Sequence, residues 1–338
     1  MNKRTILVTG VAGFIGSHVA EALLKRGDVV VGLDNFNDYY SPATKRSNLA
    51  EITGTTSHSQ RFFFIEGDVR NRNLLCRLYL EYQFNGIIHL AAMAGVRASV
   101  YNPSLYYDVN LNGTLALLEA VTSLATLSKA SSELPVFVFA TTSSAYGATH
   151  QIPFLETDAC NEPLAPYAAS KRAAELLGYT YYHLYHLNFT ALRFFTVYGP
   201  RNRPDMMAYK IMDNIFSRRE VPLYNQGQMY RDWTYVDDIV RGIMAAVDRP
   251  LGYQIINLGR GAPVLLADFV HLLEELTGRP ARLTPAPAPD TDVPYTYADI
   301  GKANKLLGYH PTISVEEGVR GLWHWYQKAV LTKEVASR

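Results

Sequence analysis

Over the first 195 residues of this 338-residue chain, short β-branched or apolar runs alternate with longer segments whose apolar positions recur every three to four residues. Unbroken apolar runs of this length mark buried strands, and a period near 3.6 marks helices. Thr5–Thr9 is predicted as a strand, 14–26 as an apolar helix, and Val29–Leu33 as a second strand. Further strands are predicted at 61–66, 86–92, 135–140 and 189–195, and helices over 103–121 and 167–187. The polar tract 53–60 reads as a surface loop. Strands alternating with helices predict an α/β fold, a doubly wound parallel (Rossmann-type) sheet whose ligands sit at the carboxyl ends of its strands.

Beyond residue 195 the pattern loosens. A helix over 206–219, a second helix opened by 231–238 and an extended loop at 285–289 predict a smaller C-terminal substrate-binding lobe. The expected division is 1–195 as the nucleotide-binding domain, with a returning segment at about 237–258, and most of 196–338 as the lobe.

The turn between the first strand and the first helix carries the first chemistry. Gly10, Gly13 and Gly16 are spaced G-x-x-G-x-x-G. The first lets the chain reverse, the second lets backbone N–H groups approach a pyrophosphate, and the third lets the helix press on the sheet. Asp34 ends the second strand about 20 residues later, where an acid accepts from an adenosine ribose hydroxyl and repels a 2′-phosphate, so the dinucleotide read here is NAD. An Asp at a strand end is also a common helix cap. Asp68 follows the third strand, placed either for an adenine amino group or as an ordinary turn residue.

Composition narrows the class. Hydrophobic residues make up 48% of the chain and aromatics 12%, ample for a large core. With 32 basic and 31 acidic residues and no Lys/Arg-rich block, nothing points to nucleic acid. Cys76 and Cys160 lie far apart without metal-ligand spacing, and two free thiols in a reducing compartment are expected. His183 and His186 share a helix but have no acidic partner in phase, so no metal is expected. No apolar run approaches a membrane span and the first strand starts within a few residues of Met1, so a cytoplasmic protein is expected.

Tyr167 and Lys171 stand four residues apart, on one face of a helix. A neighbouring cation favours phenolate and moves the Tyr toward use as a base. With 23 Tyr in the chain a chance surface pair is the alternative. The hydroxyl cluster Thr141-Thr-Ser-Ser144 could relay a proton to the phenol, or be a serine-rich turn.

Together, the glycine turn, Asp34, His89-Leu-Ala-Ala, the segment 142–147 and Tyr167-x-x-x-Lys171 resemble the extended short-chain dehydrogenase/reductase family over essentially the whole chain. Within it, Asp34-Asn-Phe-Asn-Asp-Tyr-Tyr-Ser-Pro, 94–99 and 193–206 resemble the UDP-glucuronate 4-epimerases. The resemblance implies NAD held by Gly10, Gly13, Phe14, Ile15, Gly16, Asp34, Asn35, Asp68, Val69, Leu90, Ala91, Ala92, Asn110, Tyr167 and Lys171. It implies Tyr167 as the base, Lys171 holding the nicotinamide ribose and lowering the Tyr pKa, and Thr142 as the hydroxyl partner. Arg231 matches a diphosphate ligand and Asp292 a residue near the ribose, with Arg97 also on the substrate. Ser143, Ser144, Thr196 and Arg203 are the candidates for a sugar carboxylate. The implied reaction is 4-epimerisation of UDP-glucuronate to UDP-galacturonate through a transient 4-keto sugar. A neutral-sugar (UDP-glucose/UDP-galactose) 4-epimerase, which would usually carry Asn at Thr196, and a non-catalytic NAD-binding interaction protein are the alternatives. Met93 in place of Gln and Thr291 in place of Gly depart from the pattern. A homodimer through the helices at 103–121 and 167–187 is expected from their dense Tyr and Leu content.

Overall fold

The computed structural model describes residues 4–54, 56–127 and 134–331. Its centre is built from β1 (Thr5–Thr9), α1 (Phe14–Arg26), β2 (Val29–Asp34), α2 (Pro42–Thr53), β3 (Phe62–Glu66), α3 (Arg72–Tyr82), β4 (Gly86–His89), α4 (Gly113–Leu127), β5 (Val136–Thr142), α5 (Pro166–Tyr185), β6 (Phe189–Phe194), α6 (Val236–Val247) and β7 (Tyr253–Leu258). The strands form one parallel sheet among the described residues, ordered β7-β6-β5-β4-β1-β2-β3. This is the doubly wound sheet that the alternation predicts. Because β1 pairs with β2 on one side and β4 on the other, the chain winds in opposite directions from it and leaves a crevice at the strand ends.

Alternate residues of each strand feed two cores. Ile6, Val8, Val138 and Leu192 pack beneath α1 and α6, through Leu23, Ile239 and Ile243. Leu7, Phe137, Phe139 and Phe189 pack on the opposite face against Leu75, Leu118 and Ala174 of α3, α4 and α5. A third core holds the lobe together around Trp233 and Phe269, stacked 3.8 Å apart, with Met212, Leu273 and Leu322. No helix among the described residues is long and apolar enough to cross a membrane.

Several elements depart from the sequence expectation, each through a tertiary contact. Strand β5 continues through Thr141 and Thr142, which pair with Arg193 and Phe194, so the hydroxyl cluster begins inside the strand. The long helix expected at 103–121 is a helix Pro103–Tyr107, a π-helical turn Asp108–Asn112, then α4. The wider turn carries Asn110, whose amide bonds the Met93 backbone. The tract 53–60 contains a short helix, Thr56–Ser59, and buried His58 contacts the Ile52 carbonyl at 3.2 Å. Residues 231–235 form two short strands, not the start of a helix, because Trp233–Tyr235 pairs with Thr196–Tyr198. Pro285 lies in a strand, Arg282–Ala286, beside Glu220–Tyr224; a two-stranded ribbon has an edge where a missing N–H is tolerated.

Gly178 fixes the distance between α5 and β6, since a Cβ there would stand 2.3 Å from the Phe189 ring. Gly178→Val is expected to destabilise the fold by about 1–3 kcal/mol through overpacking. Urea denaturation followed by far-UV circular dichroism measures it, and an unchanged midpoint would contradict the contact.

Candidate active site

Gly10 adopts φ +71°, and a Cβ on it would fall 2.7 Å from the Ala91 nitrogen. Gly16 would collide with the Gly10 carbonyl at 2.1 Å, so its missing side chain makes room for the turn itself and not for the sheet. Helix α1 starts after Gly13 with no side-chain cap, leaving its N-terminal end to an anion.

A cavity of about 190 Å³ opens in front of this turn. Gly10, Gly13, Phe14, Ile15, Gly16, Asp34, Asn35, Val69, Leu90, Ala91, Ala92, Tyr167, Lys171 and Arg203 all line it. The buried Tyr40 hydroxyl has no protein partner and stands 4.0 Å from where a Gly13 Cβ would lie. Uncapped helix end, glycine cradle and unpaired hydroxyl fit a bound pyrophosphate, and Asp34 at the end of β2 fits a ribose. Asp34 is buried and accepts from the Ala12 and Phe36 N–H groups at 3.1 and 2.9 Å, while burial pushes its pKa up.

Two of the predicted cofactor residues have their polar groups committed to the protein. Both Asp68 oxygens are taken, by Arg70 at 2.8–2.9 Å and by Asn35 at 2.9 Å. Hydrogen bonding to Arg70 holds that carboxyl down at about 2. Asn110 bonds Met93 N, Met93 O and the Ser170 hydroxyl. Both lie beside the cavity wall and not on it.

Tyr167 sits in the first turn of α5, edge-on to Tyr106 at 6.2 Å, with the Thr142 hydroxyl close enough to oppose the rise in its pKa. Burial raises the Tyr167 pKa, and the Arg203 charge and the nearby Thr142 hydroxyl oppose the rise. Lys171, one turn further on, is buried with Nζ 4.2 Å from the Phe139 ring centroid. Burial lowers its pKa to about 7. The Arg203 charge thus also acts on the phenol, from outside the helix that carries Tyr167 and Lys171.

Arg203 belongs to a strap, residues 199–206, that crosses to the cofactor side. Its guanidinium makes two bonds to Asp205, at 2.9 and 2.8 Å, and Tyr39 donates to the same carboxylate at 3.2 Å. The strap is anchored by His18 on the Pro200 carbonyl at 2.9 Å and by Arg201 on Glu21 and Glu51 at 2.7 and 2.8 Å.

Ser143 and Ser144 line a second, smaller cavity with Thr291 and Thr296. Next to it Arg97 is paired with Asp292 at 2.8 Å, donates to the Tyr224 hydroxyl at 2.8 Å, and lies 4.4 Å from the Tyr224 ring centroid. Arg231 lies 3.8 Å from the same Asp292 carboxylate, so two cations face one anion. Thr196 opens the strand Thr196–Tyr198, and its N–H donates to the Asp232 carbonyl at 3.1 Å.

Tyr39, Tyr40, Asn37 and Lys45 also line the first cavity; the first three lie in the 34–42 stretch that carries the epimerase resemblance, but none of the four was assigned a site role from the sequence. The signal was there in the aromatic run Asn35–Tyr40, unusual for a surface loop.

A model of the GDP-mannose 4,6 dehydratase family matches residues 7–322. The chain belongs to that family. It is thus an extended short-chain dehydrogenase/reductase, as its motifs indicate. Among family relatives, the UDP-glucuronate 4-epimerase of Thermodesulfobacterium geofontis is 43% identical, over 96% of each chain. UDP-glucuronate 4-epimerase 4 of Arabidopsis thaliana is 40% identical, over 96% of this chain and 76% of that one. The crystal structure of Bacillus cereus UDP-glucuronic acid 4-epimerase with UDP-glucuronic acid and NAD superposes with a TM-score of 0.86 at 33% identity, covering 96% of this chain and 99% of that one. A UDP-glucose 4-epimerase of Thermotoga maritima with UDP-glucose gives 0.85 at 29% identity, covering 96% and 99%, so the family fold by itself does not separate acid from neutral sugars.

Between β4 and α4 the family's His89 is pinned. Thr114 gives its hydroxyl proton to the Asn110 carbonyl at 2.6 Å, so it accepts from His89 Nε2 at 3.1 Å, and Nδ1 of the neutral ring accepts from Thr9 at 2.7 Å. Burial, then the nearby Lys171 charge, push the imidazole down to about 3 and keep it neutral. The unfolded imidazole takes up a proton near 6.5 and the folded one does not, so the stabilisation is complete above that pH and is lost as pH falls toward 3. His89→Gln is expected to remove up to about 1.4 kcal/mol per pH unit from the slope of unfolding free energy in that window. Urea titrations from pH 7 to 4 measure it; equal slopes would show that His89 is protonated in the fold.

Proposed function

We propose that this protein catalyses NAD-dependent 4-epimerisation of UDP-glucuronate to UDP-galacturonate through a transient 4-keto sugar. The observation that carries the acid-sugar reading is Arg203, a forked donor lining the same cavity as Tyr167 and acting on its phenol. UDP-glucuronate 4-epimerases at 40–43% identity support it.

The glycine turn, Asp34 and Lys171 would hold NAD, which when bound would supply a reversible hydride acceptor for C4′. Tyr167 takes the 4′-hydroxyl proton and gives it back after the sugar has turned. Thr142, whose hydroxyl lies near the phenol, carries the proton between them and stabilises the phenolate. Arg97 and Arg231 hold the diphosphate, which lets the keto sugar rotate about its glycosidic phosphate bond without leaving. Arg203, with Ser143, Ser144 and Thr196, receives the carboxylate; a fixed cation there resists loss of CO2 from the β-keto acid by keeping the charge localised. Ser143 and Ser144 offer hydroxyls and no carboxylate acid/base pair, so they do not favour elimination of water. We assign 1–195, with the returning segment at about 237–258, to NAD and most of 196–338 to the UDP-sugar. Two free thiols fit a reducing compartment, and we assign the protein to the cytoplasm.

We further propose a homodimer. Tyr101, at 89% exposure, with Leu176, Tyr179 and Leu184 leaves an apolar face on the helices at 96–107 and α5, which a second copy would cover. Light scattering at micromolar concentration should give twice the 37.8 kDa chain mass; a monomer would refute it.

Purified protein incubated with UDP-glucuronate should yield UDP-galacturonate with no net NADH. Tyr167→Phe should lower turnover by at least about 100-fold while NAD stays bound, since the glycine turn is untouched. Arg203→Ala should raise KM for UDP-glucuronate far more than for UDP-glucose. If the wild type epimerises UDP-glucose as fast as the uronate, the acid-sugar reading fails.

A further inference from the structure

Glu175 takes no part in the reaction derived above, yet it is a fully buried carboxylate one helical turn beyond Lys171. Its oxygens collect four donors. The Thr141 hydroxyl donates at 2.8 Å, Arg193 through Nε and Nη2 at 3.0 and 2.7 Å, and Arg172 at 3.2 Å. Thr141 is the strand neighbour of Thr142 and itself lines the cofactor cavity. Arg193 lies opposite Thr141 on β6, wholly buried, with its guanidinium 4.6 Å from the Tyr146 ring centroid. One carboxylate therefore ties α5, which carries Tyr167 and Lys171, to the end of β5, which carries Thr142. A buried ion pair is a costly way to join three elements that apolar packing could join as well. What apolar packing would not supply is a negative charge beside Lys171.

Building on the proposed reaction, we infer that Glu175 is a positioning residue: it holds Thr141 and so Thr142 in register with Tyr167, and supplies the negative charge that faces the Lys171 ammonium. The surroundings of Lys171 leave that task to Glu175. From β4 it meets His89, which is neutral, and from β5 the Phe139 ring. On its own helix stand Tyr167 and Glu175, and Glu175 is the group that opposes the loss of the Lys171 proton on burial. Arg203 acts on Tyr167 from the strap, while Arg172 and Arg193 contact Glu175 itself. Without the Glu175 charge Lys171 gives up its proton at lower pH, and the phenolate of Tyr167 loses a neighbouring cation.

Glu175→Gln tests this with size and one acceptor oxygen retained. The high-pH limb of kcat/KM for UDP-glucuronate should move down by about one pH unit, narrowing the profile. Independently of any turnover, the Tyr167 phenolate absorbance, read as the difference between each protein and its Tyr167→Phe counterpart, should appear at higher pH. Thr141→Val keeps the charge and removes the bond, so it should lower kcat several-fold with both limbs in place. If Glu175→Gln fails to fold with Arg193 unpaired, Glu175→Gln/Arg193→Met removes both charges and should shift the same limb. A uniform fall in kcat with unmoved limbs and an unmoved phenolate titration would overturn the electrostatic role, and an unaffected Thr141→Val the positioning one. A wild type without epimerase activity would instead overturn the proposed reaction, with the absorbance titration still deciding the role of Glu175.

Discussion

The close approach of the Gly10 turn to the end of β4 is the constraint on which the rest of the site depends. The Gly10 backbone lies against Leu90 and Ala91, and Gly16 lies on the Gly10 carbonyl, with no room for a Cβ at either place. This contact brings the N-terminal end of α1 to the mouth of the crevice between β1 and β4, where its uncapped N–H groups favour an anion. Every other element of the cavity is placed relative to that point: Asp34 one strand to one side, Tyr167 and Lys171 beyond β4 and β5 on the other. A methyl group on the turn would push α1 and the end of β4 apart.

Burial sets the electrostatics around that cavity. It makes the Tyr167 phenol a weaker acid and Lys171 a weaker base, so the pair depends on fixed charges and hydrogen bonds nearby. Cations suited to a substrate anion are each held by a carboxylate in the folded chain: Arg203 by Asp205, Arg97 and Arg231 by Asp292. Such pairing keeps a long side chain oriented and spares it an unpaired, partly desolvated charge.

Much of the fold and the local chemistry was legible in the chain. The strands of the sheet and α1 follow from runs of β-branched residues and a 3.6-residue period, because backbone geometry dictates which side chains share a face. Tyr167 and Lys171 fall on one helix face for the same reason, and the glycine spacing speaks directly of backbone that needs room. What eluded the sequence was continuation or interruption decided elsewhere in the molecule. Thr141 and Thr142 stay in β5 because β6 pairs with them, and the helix at 103–121 widens into a π turn around Asn110. The short strand Trp233–Tyr235 exists because Thr196–Tyr198 is beside it.

The sequence by itself therefore determined the parallel sheet, the dinucleotide turn and the Tyr–Lys pair, whose causes act within a few residues. Tertiary structure alone decided which charges meet. Arg97 finds Asp292 across 195 positions, Tyr39 reaches Asp205 across 166, and Glu175 draws in Thr141 and Arg193 from two strands. It also decided that Asp68 and Asn110 bind the protein's own groups. Pairings of this kind have no period, since they arise where the winding of the sheet brings distant loops to the same strand ends and a buried charge must then find whatever partner lies within reach.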